Sequence, residues 1–341
     1  MKHYLFILCV GLMMATAASA VDLKRCTIVT DSRDAALVSK MAVTLSEDIR
    51  RVTGTQPTVG TAVKGGPAVI LSTVDRLPAL CPEVSADDIR GSWERYKIVT
   101  RGQRLVIVGS DARGLAYGVL HVSERIGVSP WYWWADVPVR QQPTLDYVES
   151  YTSQSPTVKY RGIFINDEDW GLKKWAAENF ERELGDIGPK TYDKVCELIL
   201  RLKGNMLAPA MHSCTGAFYS HPESQVKAAE WGIMITTSHC EPLLFNNAAP
   251  SEWTKERDGE WNYVTNKKTI WQKLDDRIRQ TARYDNIYTM GMRGLHDEAM
   301  KGSTDPRVRA RTLEQVFADQ REILQRHKGR AAEEIPQIFV P

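Results

Sequence analysis

An apolar segment that runs into a cluster of charged groups is the strongest constraint in this sequence. Residues 285–300 read DNIYTMGMRGLHDEAM. The IYTM part is apolar and partly β-branched, which is typical of a buried strand. Arg293, His296 and Asp297 follow it, and such groups are costly to bury without partners. Strands that end in polar groups build the active-site rim of an α/β barrel, so the pattern predicts a site at this strand end.

Four segments in the second half of the chain share this pattern. The predicted strands are 160–166, 204–211, 232–237 and 287–290, and a fifth begins at 335. They alternate with helical segments, an order that favours a parallel sheet whose strand ends meet on one rim. The rim groups are Asn166, Asp167, Glu168, Asp169 and Trp170 after the first strand, His212 and Cys214 after the second, Ser238, His239, Cys240 and Glu241 after the third, and Arg293, His296 and Asp297 after the fourth. Each group alone also fits a structural role, because a strand-end Asp often caps a helix.

The fold class predicted for this half is a (β/α)8 barrel of the TIM type, over residues 151–341, truncated in its fifth strand. A complete barrel needs roughly 250 residues. The segment is shorter than that, so we expect the chain to be the N-terminal part of a longer protein.

Residues 21–150 predict a small α/β sandwich domain. Strands are expected at 26–29, 68–71, 96–100 and 104–108, and helices at 35–52 and 114–126. The pattern indicates two helices over one face of a mostly antiparallel sheet. The domain ends in PWYWWAD (130–136), which we interpret as an aromatic plug against the second domain; a solvent-exposed sugar platform is the alternative.

Composition and the N-terminus limit the class of protein. Residues 1–20 combine a basic start, a short apolar run and Ala18-Ser19-Ala20, the pattern of a cleaved signal peptide. We therefore expect a secreted or periplasmic protein with no membrane insertion after cleavage. The formal net charge is +2, which does not favour nucleic acid as a partner.

Several long blocks of the second half resemble glycoside hydrolase family 115. They are RGIFINDEDWGL (161–172), GPKTYDKVCELILRLKGNMLAPAMH (188–212), WGIMITTSHCEPLL (231–244), WNYVTN (261–266) and YTMGMRGLHDEAM (288–300). They occur in the family's order across about 155–341. The first domain is similar to the family's N-terminal α/β domain more loosely.

The resemblance implies a xylan α-1,2-glucuronidase that releases (4-O-methyl)glucuronic acid with inversion. Inversion needs a general acid and a general base, whose carboxyl groups lie roughly 6.5–9.5 Å apart. The resemblance makes Asp297 the first candidate, with Glu241 or Asp169 as its partner. The family also carries an acidic residue after the IPQIFVP strand, beyond Pro341. No cofactor and no catalytic metal are implied.

The implied partner is xylan or a glucuronoxylan oligosaccharide, whose carboxylate needs a cation. Arg293 fits, because a guanidinium binds a carboxylate through two parallel hydrogen bonds; pairing with Asp297 is its structural alternative. The other predicted substrate-binding residues are His239, His212, Asn166, Asp167, Asn246, Trp170 and Trp261. A homodimer through a C-terminal region is left open.

Two other classes remain open from the residues alone. One is a metal-dependent barrel hydrolase, with His212, His239, His296 and Asp297 as ligands. The other is a non-catalytic carbohydrate-binding protein. Insensitivity of the activity to a strong chelator would separate the first from a metal-free glycosidase.

Overall fold

The computed structural model describes residues 19–63 and 65–340. The predicted signal peptide lies outside these residues, apart from Ser19 and Ala20, so its cleavage stays a prediction. Within the described residues, no helix is both long and apolar enough to cross a membrane.

The first half of the chain is built on a six-stranded mixed sheet. The elements are β1 (Val21–Asp22), β2 (Thr27–Thr30), α1 (Ala36–Thr53), β3 (Thr58–Gly60), β4 (Ala68–Thr73), α2 (Leu77–Leu80), β5 (Tyr96–Arg101), β6 (Arg104–Gly109), α3 (Ala112–Arg125), β7 (Asp146–Tyr147) and β8 (Ser150–Thr152). The strands of the sheet lie in the order β3-β2-β4-β6-β5-β8, and β1 pairs separately with β7.

The prediction of a mostly antiparallel sheet is wrong. Strand β2 pairs in parallel with β3 and β4, and β4 pairs in parallel with β6. The antiparallel pairs are the predicted β5–β6 hairpin across Gly102 and Gln103, and β5 with β8. Parallel pairing requires a crossover between strands, and α1 and the segment after β4 provide two.

Both faces of this sheet are covered. Helices α1 and α3 pack on one face through buried residues such as Met41, Leu45 and Val119, as the two-helix prediction required. The segment that contains α2 covers the opposite face, where Leu77 and Ile89 pack against the sheet. The Asp111 carboxylate caps α3 by accepting a hydrogen bond from the Gly114 N–H at 2.7 Å.

The second half contains five short parallel strands in chain order. The elements are β9 (Gly162–Phe164), α4 (Leu172–Trp175), α5 (Pro189–Arg201), β10 (Met206–Ala208), α6 (Pro222–Glu230), β11 (Met234–Ile235), α7 (Lys255–Asp258), α8 (Tyr263–Thr281), β12 (Tyr288–Met290), α9 (Pro306–Lys328) and β13 (Gln337–Phe339). Strand β10 pairs with β9 and with β11, and β12 pairs with β13. A parallel bridge between Ile235 and Asn286 links the two groups of strands.

These strands are shorter than predicted, and the backbone next to them makes contacts outside the regular strand pairing. The Arg161 N–H, just before β9, donates to the Asn205 side-chain oxygen at 2.9 Å instead of to a strand carbonyl. After β12, Gly291 has φ +140°, and a Cβ there would lie 2.5 Å from the Val340 carbonyl oxygen. Only glycine therefore fits where the fourth strand enters the rim loop.

Two buried ion clusters join the first half to the second. The Glu94 carboxylate accepts hydrogen bonds from Arg113 at 2.6 Å, from Arg161 at 2.5 Å and from the Asn205 amide at 2.9 Å. Asp48 on α1 accepts two hydrogen bonds from Arg201 on α5, at 3.0 and 3.1 Å. The Tyr117 hydroxyl also donates to the Gly204 carbonyl just before β10. Fixed contacts thus run from the first sheet to the base of the parallel strands.

Candidate active site at the carboxyl ends of the parallel strands

The loop after β9 holds a fully buried carboxylate. Glu168 begins a 3-10 turn over Glu168–Trp170, and its side chain is 0% exposed. Its Oε1 accepts hydrogen bonds from the backbone N–H groups of Met211 and His212, both at 2.6 Å. Its Oε2 has no hydrogen-bond partner among the described residues. A buried carboxylate oxygen without a partner is uncommon in folded proteins, and it distinguishes Glu168 from its exposed neighbours.

Asp169 and His212 form the next contact on this rim. The Asp169 Oδ1 lies 3.1 Å from His212 Nδ1, and the Asp169 side chain is 43% exposed. The predicted residues Asn166 and Asp167 are also at least partly exposed, and Trp170 is 87% exposed. All of these groups can be reached by a ligand.

The loop after β11 contributes one exposed imidazole and one buried carboxyl group. His239 reaches across to the loop after β12, as described below. Glu241 is 4% exposed, and its Oε2 accepts the Ser238 N–H at 3.0 Å. Burial raises the pKa of Glu241 to about 8, opposed by the Ser238 hydrogen bonds and reinforced by nearby Glu252 and Glu168. Glu241 therefore holds its proton at neutral pH. Burial also raises the pKa of Cys240 to about 11, which does not favour a nucleophilic thiolate.

The loop after β12 places Asp297 among three cationic or imidazole groups. Its Oδ1 lies 2.6 Å from His239 Nε2, and its Oδ2 lies 3.3 Å from His296 Nδ1. Arg293 donates to the Asp297 carbonyl at 3.1 Å and has its Nη1 3.9 Å from the carboxylate. The hydrogen bond from His239 holds the pKa of Asp297 below its usual range, helped by His296 and Arg293. Asp297 is thus an ionised, 61% exposed carboxylate.

Two histidines connect the β9 side of the rim to the β12 side. The rings of His212 and His296 lie 5.6 Å apart. His296 adopts φ +50°, a conformation that is uncommon for residues other than glycine and that occurs at functional loops. Its N–H donates to the Asn247 side chain at 3.3 Å.

Asp169, His212, Asn247 and His296 line a cavity of about 540 Å³. Its other lining residues are Ser213, Cys214, Ala248, Trp253, Thr254, Lys255 and Leu295. Asp297 contacts the lining residue His296 at 3.3 Å, and His239 and Arg293 contact Asp297 in turn. The predicted convergence of strand-end groups from β9, β10, β11 and β12 is therefore present in the structure.

Two predicted substrate-binding residues lie in the core instead. Trp261 is 1% exposed, its ring stacks on Phe245 at 5.9 Å, and its indole N–H donates to the Arg293 carbonyl at 3.0 Å. Asn246 is 3% exposed, and its side chain bonds the Met211 carbonyl and the N–H groups of Ala248 and Ala249. Both side chains are buried and their polar groups are hydrogen-bonded within the protein, so they are unavailable to a sugar.

Three residues of the site were missed among the candidates. Glu168 stands in the acidic run after β9, and the sequence alone favours its neighbours Asp167 and Asp169 as site residues. Asn247 is buried and bonds both the Gly294 carbonyl and the His296 N–H, which holds the β12 loop in place. Lys255 lines the cavity as a cation. The Asn-Asn pair at 246–247 was the available signal for Asn247.

The same rim contains a group of side chains with the chemistry of a metal site. Ligand atoms of Glu168, Asp169 and His212 lie within 4.8 Å of one another. Carboxylate oxygens with one imidazole suit a divalent cation such as Zn²⁺ or Mn²⁺. This set shares only His212 with the ligands predicted from the sequence.

Comparisons with known proteins identify the family of this chain. The family model described as "Glycosyl hydrolase family 115" matches residues 153–341, which is more than half of the chain. The chain belongs to glycosyl hydrolase family 115. A comparison with curated proteins gave no match.

Solved structures agree with this assignment. The chain is similar to a family GH115 4-O-methyl-α-glucuronidase with specificity for decorated arabinogalactans, with 34% identity, a TM-score of 0.85, and coverage of 93% of this chain and 42% of that chain. The chain therefore spans less than half the length of that relative.

More distant structures share the fold alone. The N-acetyl-β-hexosaminidase of Streptomyces plicatus has 15% identity and a TM-score of 0.53, covering 95% of this chain and 63% of that one. A GH138 enzyme that targets pectin rhamnogalacturonan II has 10% identity and a TM-score of 0.53, covering 90% of this chain and 43% of that one.

Proposed function

We propose that this protein releases α-1,2-linked (4-O-methyl)glucuronic acid from a plant polysaccharide such as xylan, with inversion. Support comes from the family and from the similarity to an enzyme described as a 4-O-methyl-α-glucuronidase. That relative is described as specific for decorated arabinogalactans, so an arabinogalactan is the second polymer to test. The shared chemistry is a uronic acid branch on a neutral sugar chain.

We further propose that the five parallel strands are the first part of a (β/α)8 barrel. Their chain order, their parallel pairing and the helices between them support this interpretation. Export to the periplasm or the medium remains part of the proposal, and N-terminal sequencing of the mature protein should begin at Val21.

The observation that carries the proposal is the ionised, exposed Asp297 beside His239 at the cavity. An ionised carboxylate suits the general base, which activates water on one side of the sugar. The acid must hold a proton. Glu241 does so by its raised pKa but is buried, whereas Asp169 reaches the cavity but contacts His212. We therefore assign Asp297 as base and leave both as candidates for the acid.

The branch carboxylate needs a cation near Asp297. Arg293 lies four residues before it, and its hydrogen bond to the Asp297 carbonyl uses one of five guanidinium N–H groups. Lys255 lines the cavity directly. We propose Arg293 as the carboxylate ligand, because its planar group makes paired contacts that an ammonium cannot make.

The test is release of glucuronic acid from glucuronoxylan and from a decorated arabinogalactan. Proton NMR during the first turnovers should show the β-anomer of the released sugar, the product of inversion at an α-linkage. The α-anomer would contradict inversion. Binding of either polymer without any release would instead indicate the non-catalytic carbohydrate-binding alternative.

A metal-assisted hydrolase is the second candidate, favoured by the Glu168, Asp169 and His212 group. A bound divalent cation there would polarise a sugar oxygen or a water molecule. Release of glucuronic acid that survives extensive chelation favours the metal-free mechanism. The metal-assisted mechanism is favoured if chelation abolishes the activity and added metal restores it in the unmodified protein but not in the Asp169→Asn variant.

A further inference from the structure

A second cavity lies next to the candidate active site and is lined mainly by aromatic rings. Its volume is about 760 Å³, and we call it the aromatic groove. It is lined by Tyr132, Trp133, Trp134, Asp136, Gly171, Leu172 and Trp175. The first four belong to the PWYWWAD segment, for which the sequence left open a plug or a sugar platform.

The aromatic side chains of the groove are held in fixed positions. The Tyr132 hydroxyl donates to Glu197 at 2.8 Å, and the Trp134 indole N–H donates to the Lys194 carbonyl at 3.1 Å. These contacts fasten the segment to α5, as a plug would. Trp133 makes edge-to-face contacts with Trp134 at 4.8 Å and with Trp175 at 5.9 Å. Rings that are already fixed lose little side-chain entropy when a ligand binds.

The rings nevertheless keep part of their surface open to solvent. Trp133, Trp134 and Trp175 are each half-buried, and together with Leu172 they leave an apolar wall. Asp136 is the charged residue among the lining residues. An apolar wall with a few polar groups is typical of a small-molecule or sugar site.

The groove and the active-site rim have lining residues that are close together in the chain. Asp169 lines the first cavity, and Gly171 lines the groove. Two peptide steps separate them, which is at most about 7.6 Å between Cα atoms. Trp170 lies between them in the chain and is 87% exposed. A large exposed indole next to both sets of lining residues is open to contact with a chain-like sugar ligand.

We propose that the aromatic groove binds the neutral main chain of the polysaccharide whose uronic acid branch enters the rim cavity. This inference rests on the proposed function. The C–H faces of pyranose rings pack against indole rings by dispersion and burial of apolar surface. The carboxylate of Asp136, which lines the groove, can accept a hydrogen bond from a hydroxyl group of a neutral sugar. The groove therefore recognises unsubstituted residues, while the rim recognises the branch.

The test measures binding of neutral oligosaccharides that carry no uronic acid, by calorimetry on the full-length protein. Xylohexaose and a galactan hexasaccharide distinguish the two polymer sources. Trp133→Ala removes one wall of the groove. Gly171→Leu adds bulk at a residue that lines the groove, where a Cβ meets no atom within 4 Å. Trp131→Ala is the matched control, since Trp131 is 44% exposed and does not line the groove.

We expect one hexasaccharide to bind the unmodified protein, and Trp133→Ala and Gly171→Leu each to weaken it about tenfold, or ~1.4 kcal/mol. Trp131→Ala should change the affinity less than about twofold. The proposal is overturned if neither oligosaccharide binds, or if Gly171→Leu binds as the unmodified protein does. Release of glucuronic acid, measured in parallel, separates this outcome from failure of the proposed function, because loss of the groove leaves short glucuronosyl substrates cleaved.

Discussion

The Glu94 cluster and the rim around Asp297 both gather charged groups, yet they differ in how those groups are satisfied. At Glu94 the side chain is 0% exposed, and each oxygen has a cationic or amide partner. Arg113 and Arg161 come from the first and second halves of the chain. The cluster is closed, because both oxygens of the buried carboxylate are occupied by donors from the protein, and these contacts join the two halves.

The rim leaves part of its hydrogen-bonding capacity unused. Glu168 Oε2 is buried without a partner among the described residues, and the Asp297 carboxylate is 61% exposed between two imidazoles. Buried charge alone therefore does not mark a functional site in this protein. Charged groups that are exposed near a cavity and keep free hydrogen-bonding atoms do mark a candidate site, because a ligand can bond to those atoms.

The largest expected effect is on catalysis at the rim. Asp297→Asn keeps the shape but removes the ionisable group, and general acid–base catalysis is worth roughly 10²–10⁴-fold. We expect kcat for glucuronic acid release to fall by that order with the thermal midpoint almost unchanged. Glu298→Gln is the matched control, because Glu298 is the next residue and is 59% exposed. Near-normal turnover in Asp297→Asn would remove Asp297 from the acid–base pair.

Disrupting the closed cluster should affect stability instead. Glu94→Ala leaves two arginines without their buried counter-charge, which typically costs about 3–5 kcal/mol of unfolding free energy. The exposed pair of Glu83 and Arg104, 2.7 Å apart, is the control, and Glu83→Ala should cost roughly 1 kcal/mol or less. Chemical denaturation measures both. Equal losses of unfolding free energy in the two variants would show that the buried Glu94 contacts stabilise the protein no more than an exposed ion pair does.

The buried Glu241 should make stability fall as pH rises. Its pKa is raised from 4.5 to about 8 in the folded protein, so between these values the folded state holds a proton that the unfolded chain has released. Stability is then fully present below about pH 4.5 and declines toward pH 8, by at most ~1.4 kcal/mol per pH unit for this group. Glu241→Gln should flatten this slope in denaturation curves recorded from about pH 5 to 8. An unchanged slope would show that Glu241 is ionised in the folded protein.

Recognition of the uronic acid should show the smallest of these effects. Loss of a charge-assisted hydrogen bond typically costs about 1.5–3 kcal/mol, so Arg293→Ala should lower kcat/KM ten- to more than a hundredfold on a glucuronosyl substrate. The uncharged glucosyl analogue should be affected far less. Arg293→Lys should recover little.

The comparison with Lys255→Ala decides between the two cations. Arg293→Ala could lower kcat/KM equally on the glucuronosyl substrate and its glucosyl analogue, while Lys255→Ala lowers it only on the glucuronosyl substrate. That result would assign binding of the carboxylate to Lys255.

Local patterns predicted the meeting of the strand ends better than they predicted the individual contacts there. The apolar run before Arg293 and Asp297, and its repetition along the chain, was enough to place four strand ends together. Trp170 and Trp261 could not be separated, because each follows a polar stretch and burial depends on what packs there later. Phe245 and Trp253 enclose Trp261, and neither contact is visible in the local sequence.

Long-range pairing explains the remaining errors. Glu168 is distinguished from Asp167 and Asp169 only by two backbone N–H groups that arrive from the loop after β10. The parallel order of the first sheet depends on how α1 and the segment after β4 cross it, and alternation within each strand carries no information on that choice. The β5–β6 hairpin was predictable because its partners are adjacent in sequence.

The most direct test of the rim as the active site is the crystal structure of the Asp297→Asn variant with a bound glucuronosyl oligosaccharide. We predict the uronic acid in the cavity between Asp169 and His296, with its carboxylate on Arg293 and its anomeric carbon facing residue 297. A uronic acid bound away from this cavity, in crystals where the cavity is open to solvent, would contradict the assignment.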